Sequence, residues 1–378
     1  MKIDVVIGAN YGDEGKGSVV NMLARESTER CAVVRFNGGA QAGHTVETKD
    51  GNRTVFHQLG SGTLQGCDTI LSRHHMLDPI IFWQEVEDLP RNKLPSLVVD
   101  PILELVTPYD IAVNQLLESR RGKDKHGSCG MGIGSAMVRK EAKITIPLSF
   151  ASSPDKLKKR LGMIKKHSQE KMAGFGKAGN EVFKKAQNFE DLFIQSANDV
   201  WQNTSARVPD WYALGQYDHV IFEGAQGLCL DQRSRDFPYV THSNTGLANV
   251  SNILDRYYPD AEIMVYYVTR CYLTRHGAGP LKGEKIRTIG LKDKTNVYNR
   301  WQEELRYAPL DFERMTEEIS DTKVEFNRRF KVTAVITCCD QFESARHFYS
   351  DLKLQDVIDR VKKAMKSDKV ITSCSPQL

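Results

Sequence analysis

Short apolar runs alternate along the chain with longer stretches in which apolar residues return three and four positions apart. Runs of the first kind, at residues 4–8, 32–36, 69–71, 96–99, 219–222, 263–268 and 332–337, read as buried strands, and 369–372 is a weaker eighth. Strand–helix alternation of this kind predicts an α/β fold: a large, mostly parallel twisted sheet flanked by helices, with ligands at the carboxyl ends of the strands. Residues 154–204 break the pattern. Lys156-Leu-Lys-Lys-Arg-Leu161 and Glu181-Val-Phe-Lys-Lys-Ala186 read as amphipathic helices with a basic face, a helical excursion within one α/β domain of residues 1–378. Phe183 is the single aromatic in these two segments, so the basic face reads as solvated rather than as a nucleic-acid surface.

Composition narrows the classes. The chain has 378 residues, 40% hydrophobic and 26% charged, as in an ordinary globular protein. A net charge of +4 over this length argues little for duplex nucleic acid as partner, and nucleotide phosphates need only a local positive site. Eight cysteines are scattered without a C-x-x-C pair, which suits free thiols in a reducing cytoplasm and gives no structural zinc site. No leader pattern and no apolar run of about 18 residues is present, so the expectation is a cytoplasmic protein without a membrane partner.

The densest chemistry lies in Gly8-Ala-Asn-Tyr-Gly-Asp-Glu-Gly-Lys-Gly-Ser18, between the first strand and an apolar-periodic stretch. A Gly-rich turn leading into a helix presents backbone N–H groups at the helix's positive end, a cradle for phosphate. It is not a Walker A loop, because Asn10 stands where that pattern needs Gly and Gly17 where it needs Ser or Thr. Asp13 and Glu14 put carboxylates inside the cradle. There they would repel phosphate unless one holds a divalent cation or moves a proton.

This loop closely resembles the signature of the adenylosuccinate synthetase family, and four further segments agree in the same order. They are Phe36-Asn-Gly-Gly-Ala-Gln-Ala-Gly-His-Thr45, His126-Gly-Ser-Cys-Gly-Met-Gly-Ile-Gly134, Phe222-Glu-Gly-Ala-Gln-Gly227 with Pro238-Tyr-Val-Thr-His-Ser-Asn-Thr245, and Thr274-Arg-His-Gly-Ala-Gly-Pro280. The resemblance implies a magnesium-dependent ligase. It phosphorylates O6 of a 6-oxopurine 5′-monophosphate from GTP or ATP, and L-aspartate then displaces the phosphate. It assigns Asp13 as base for the N1 proton and as metal ligand, with the Gly43 carbonyl completing the metal shell. His44 matches the general acid, and Lys16 with Gly12, Glu14, Gly15, Gly17 and Ser18 forms the phosphate loop. Gln41, Ser128, Cys129, Gln226 and Thr241 stand at the monophosphate positions. The family draws an arginine from a neighbouring subunit, for which Arg139 is a candidate beside Lys140 and Lys143; a homodimer follows from the resemblance. A nucleotide-binding regulator without catalysis is the competing class, but a pure binder has no use for an acid and a base together.

Several positions depart from the family pattern. Cys129 replaces a hydroxyl donor with a weak thiol donor, which Ser128 or loop amides would compensate. The aspartate loop is Thr295-Asn-Val-Tyr-Asn-Arg-Trp-Gln-Glu-Glu-Leu-Arg306, in which Thr295, Asn296, Arg300 and Arg306 are the aspartate-binding candidates. Glu303 and Glu304 stand where the family places the arginine run that reaches the ribose 2′-hydroxyl. At the triphosphate base, Thr337-Cys-Cys-Asp340 keeps the carboxylate that selects guanine but has Cys338 in place of lysine, and Ser373 and Ser375 belong to the same site. The chain ends at Leu378, shorter than the usual member. These departures resemble a short, divergent branch from viruses and prokaryotes, some of whose members act on (deoxy)guanylate to make a 2-aminoadenine precursor. The expectation therefore leans to dGMP over IMP, although Asp13 is replaced in some viral members.

Overall fold

Residues 1–48, 50–90, 94–255, 258–285, 290–291, 293–296, 298–326 and 328–375 are described by a computed structural model. Val297, in the 295–306 stretch above, and the terminal Leu378 lie outside these residues. Lys2–Gly8 (β1) is apolar at nearly every position because both of its faces are covered, and Ile3, Val5, Val6 and Ile7 are wholly buried. It sits inside an eight-stranded sheet with Cys31–Arg35 (β2), Asp68–Leu71 (β3), Leu97–Val99 (β4), His219–Gly227 (β5), Glu262–Arg270 (β6), Lys331–Thr337 (β7) and Lys369–Thr372 (β8). The order is β8-β7-β6-β1-β5-β2-β3-β4, and every neighbouring pair is parallel. All eight expected strands are present. The pattern under-reads β5 and β6 at their carboxyl ends: Glu223 and Arg270 interrupt the apolar run while their backbone stays paired, and past Glu223 the β1–β5 register shifts before pairing resumes at Gly227.

Alternate residues feed the two faces. Ile3, Val5 and Ile7 of β1 join one large core, whereas Val6, with Val33, Ile221 and Val268, packs under Val19, Val20 and Leu23 of the helix Lys16–Arg25 (α1). A separate core lies to the side of β4. It gathers Pro108–Arg121 (α2) with Pro154–Ala173 (α4), Gly176–Gln187 (α5) and Glu190–Asn203 (α6), while Ile133–Glu141 (α3) packs on α2. In α4, Leu157, Leu161, Ile164 and Met172 form the buried stripe and Lys156, Lys158, Lys159 and Lys166 face solvent, the i, i+4, i+7 spacing the sequence shows. Among the described residues, no helix is long and apolar enough to cross a membrane.

Candidate active site

Because all eight strands run the same way, the segments that follow β1, β2, β5 and β6 meet at one edge of the sheet and enclose a cleft of about 600 Å³. The turn after β1 is held in the left-handed region at Gly12, Asp13 and Gly15 (φ 87°, 56° and 90°), and Gly15 caps α1. The first two of these φ values aim Asp13 outward: it lines the cleft with Gly12 and Lys16. Glu14 points the other way. Its Oε1 accepts from the backbone N–H of Asn10 (2.7 Å) and from Asn10 Nδ2 (3.1 Å), and its Oε2 stands 3.9 Å from Lys16 Nζ. The Glu14 carboxylate is thus a strut beneath the turn and not a group facing phosphate, and burial raises it to about 7. Burial also raises the Asp13 carboxyl, against the pull of Arg270, His276 and Lys16, and lowers Lys16, against Glu14 and Asp13. Gly17 and Ser18 lie in the first turn of α1.

His44 opens the hairpin His44–Glu47/Arg53–Phe56 and lines the cleft. Its Nδ1 lies 2.5 Å from Oε1 of Glu223, a residue of β5 that is fully buried. A carboxylate can only accept, so Nδ1 carries the hydrogen and Nε2 is left for a ligand. Glu223 also accepts from the Ser61 amide (2.9 Å) and hydroxyl, and Arg35 Nη1 stands 3.8 Å from it. Burial would raise the Glu223 carboxyl, but His44 and Arg35 outweigh it and hold it well below the ordinary range. Burial and Arg35 push His44 down against the opposing charge of Glu223. The motif Phe222–Gly227 by itself assigns Glu223 no role. An acid at the end of an otherwise apolar strand was the available signal.

Gln41, Ser128, Cys129, Gln226 and Thr241 also line the cleft, with Gln226 packed against Gly12. Asn37 fixes this geometry: its Nδ2 donates to the carbonyls of Ala225 and Asn244, and its Oδ1 accepts from the Ala225 amide. Gln226 is held at φ 65°, and both polar side-chain atoms of Gln41 are buried without a partner among the described residues, which marks a place for a polar ligand. Burial raises the Cys129 thiol to about 11. The compensation expected from Ser128 does not hold in this geometry. The amides of Gly127 and Ser128 already donate to Glu118, and the Ser128 hydroxyl donates to Asn114. Arg139 is also misassigned. It is 1% exposed, with its guanidinium spent on Glu104, Asp110 and the carbonyls of Leu105 and Ile144, because α3 packs that side chain inward.

Thr295 and Asn296 line the cleft, as do Asn299 and Gln302; Arg300 and Arg306 do not. Arg300 stacks over Trp301, and Arg306 pairs with Glu284 and donates to the carbonyls of Gly277 and Gly279. Glu303 pairs with Lys125 at the surface and Glu304 is exposed, and neither lines the cleft. Arg53 instead donates to the Thr295 hydroxyl and the Lys294 carbonyl at the rim. Asp340 is exposed in the turn after β7, and the Cys339 amide donates to the Ser373 carbonyl, so the triphosphate-base candidates Asp340, Ser373 and Ser375 cluster beside the β7 and β8 ends. Thr337 joins them to the phosphate loop by donating to the Glu14 carbonyl (2.8 Å).

No cluster of three or more His, Cys, Asp or Glu side chains among the described residues could enclose a metal ion. Magnesium does not require one, since it is commonly held by one or two carboxylates together with substrate phosphates. The Asp13 carboxyl, raised by burial and facing the cleft near Gly43, fits that part.

A family profile described as adenylosuccinate synthetase matches residues 5–316. The chain is 33% identical over 314 residues to the adenylosuccinate synthetase of Dichelobacter nodosus and 31% identical over 293 residues to that of Azotobacter vinelandii. Each match covers 76% of this chain and 66% of the relative, so the chain spans slightly less than two thirds of those relatives. Among solved structures, a fully ligated adenylosuccinate synthetase from Plasmodium falciparum superposes with a TM-score of 0.77 at 20% identity, over 100% of this chain and 98% of that one. The succinoaminodeoxyadenylate synthetase of cyanophage S-2L, bound to dGMP and to dATP as an energy donor, superposes with a TM-score of 0.66 at 16% identity, over 100% and 93%. Both likenesses are of fold.

Proposed function

The chain belongs to the adenylosuccinate synthetase family, and from that premise we propose that it is a ligase joining L-aspartate to C6 of a purine 5′-monophosphate, with dGMP the preferred monophosphate. The observation that carries the ligase reading is the meeting of Asp13, Lys16 and the His44–Glu223 pair at one cleft. Asp13 takes the N1 proton, which places negative charge on O6. Lys16 sets a positive charge beside the transferring phosphoryl group. Glu223 holds His44 by Nδ1 and supports its protonated form, so that Nε2 donates to the oxygen on which charge develops. Asp13 and the Gly43 carbonyl would hold magnesium, whose charge would offset that of the triphosphate.

The preference for dGMP rests on the sugar side. No arginine of the 295–306 stretch lines the cleft; Asn299 and Gln302 do, and their amides are engaged with the loop and with Gly127. That stretch offers a ribose 2′-hydroxyl no guanidinium, the cleft's own arginines Arg121 and Arg275 pair with Glu118 and Asp236, and an unpaired buried polar group costs about 1–3 kcal/mol. Asp340 weighs toward GTP as donor, since a carboxylate accepts from guanine N1–H and 2-amino but opposes adenine N1, an acceptor. Asp13 favours a second reading, IMP converted to adenylosuccinate. With Arg139 excluded, exposed Lys143 at the end of α3 and half-buried Lys140 are the cations available to a neighbouring subunit in a homodimer.

The test incubates the protein with Mg²⁺ and L-aspartate and each pairing of IMP, GMP or dGMP with GTP, ATP or dATP, detecting the succinylated product by mass. The expected order of kcat/KM is dGMP ≥ GMP > IMP. IMP ahead of dGMP by more than about tenfold, or 1.4 kcal/mol, returns the chain to the second reading. No product from any pairing removes the ligase reading.

A further inference from the structure

Arg270 ends β6, and its side chain is 8% exposed, as is that of Asp293, its partner at 2.5 Å. Neither lines the cleft. Arg270 Nε donates to the backbone carbonyl of Asp13 (2.6 Å), and Nη1 approaches the Tyr272 hydroxyl (3.4 Å). Asp293 Oδ1 accepts the backbone amides of Thr295 and Asn296, both at 2.8 Å, and Oδ2 accepts from Asn296 Nδ2 (2.9 Å). One guanidinium therefore spans the loop that carries the proposed base and the loop that carries Thr295 and Asn296. The planar fork of arginine allows this, because separate nitrogens face the carbonyl and the carboxylate; a point-charge ammonium cannot serve both directions. Other contacts of the 293–306 stretch lead elsewhere: Glu303 to Lys125 and Gln302 to Gly127, and Thr295 and Lys294 to Thr45 and Arg53 of the His44 hairpin; none of these reaches the turn of Asp13.

We propose that Arg270 and Asp293 form a latch that positions the aspartate-receiving loop against the phosphate loop, so that the amine arrives in register with the group activated beside Asp13. The kinetic part of this inference rests on the ligase reading above; its structural part does not. A buried charge left alone is costly, so the latch is strong while both members are present and fails when one is lost.

The test uses the full chain. Asp293→Asn keeps the amide acceptor but removes the charge, and should raise KM for aspartate by about tenfold or more while kcat at saturating aspartate changes by less than about threefold. Arg270→Met should raise it further, and Arg270→Lys should recover only part of the loss. Backbone amide hydrogen exchange at Thr295 and Asn296 should quicken by about tenfold or more in Asp293→Asn and Arg270→Met, whether or not substrate turns over. If Arg270→Met folds poorly, the paired Arg270→Met/Asp293→Met replacement removes both charges; it should restore stability without restoring the aspartate KM. Unchanged exchange at Thr295 and Asn296 overturns the latch. So does an aspartate KM within about twofold of native, or a kcat loss at unchanged KM. If the native protein forms no succinylated product, the ligase reading fails and hydrogen exchange alone decides the latch.

Discussion

At the proposed phosphoryl end of the cleft, Asp13, Lys16 and Glu223 stand on strand ends, or on the turn and helix that follow directly, and His44 on a hairpin locked to Glu223. At the proposed aspartate end, Thr295 and Asn296 stand on a loop tied down through side chains: Arg270 to Asp293, Arg53 to Thr295, Trp301 against Gly130, Gln302 to Gly127. The first end inherits its geometry from eight parallel strands and their cores. The second depends on a few polar contacts, each of which can be exchanged for another. A site built on backbone needs its motif nearly intact, whereas a site built on side-chain ties can lose an arginine run and still be a formed loop.

This contrast can be broken or sharpened by measurement. The largest expected effect is at the phosphoryl end: Asp13→Asn and His44→Asn should each lower kcat by about 10²–10⁴ with the fold intact, as for loss of a general base or acid. Either variant retaining more than about half of native kcat would remove that residue from the chemistry. Glu223→Gln keeps the shape but not the charge that supports protonated His44, and a drop of about 10–100-fold in kcat is expected, the usual cost of losing a histidine's outer partner. A kcat within about threefold of native would make Glu223 a packing residue.

Glu14 sharpens the comparison through stability. Its carboxyl is raised to about 7 in the fold against an ordinary 4.5, so the folded chain holds this proton more tightly than the unfolded chain. The stability it confers is full below about pH 4.5 and is lost as pH rises through about 7. Glu14→Gln is neutral at every pH. The Tm of the variant relative to native should therefore climb from about pH 5 to about pH 8, and a pH-independent difference would contradict the strut role. The smallest effect belongs to the other end. Arg300→Ala and Arg306→Ala should change the aspartate KM by less than about threefold, because neither side chain lines the cleft. A rise of about a hundredfold in either would mean that the loop rearranges when aspartate binds.

The alternation of apolar runs was enough to place all eight strands, because a parallel strand covered on both faces must be apolar almost throughout. The Gly-rich turn was legible for a related reason: its left-handed backbone favours Gly12 and Gly15, whereas Asp13, Lys16 and His44 were singled out by the resemblance of their motifs to those of the family. Side-chain direction was not legible. Glu14 and Asp13 are adjacent in sequence yet face opposite ways. Arg139 reads as a free cation until α3 turns it onto Glu104 and Asp110, and Arg306 reads as a carboxylate clamp until Glu284 and two carbonyls claim it. Arg270 and Asp293, 23 positions apart, carry no local mark of their pairing. Periodicity records which residues must be buried, a property of each position and its near neighbours. Which charges meet depends on elements distant in sequence, and only their packing decides it.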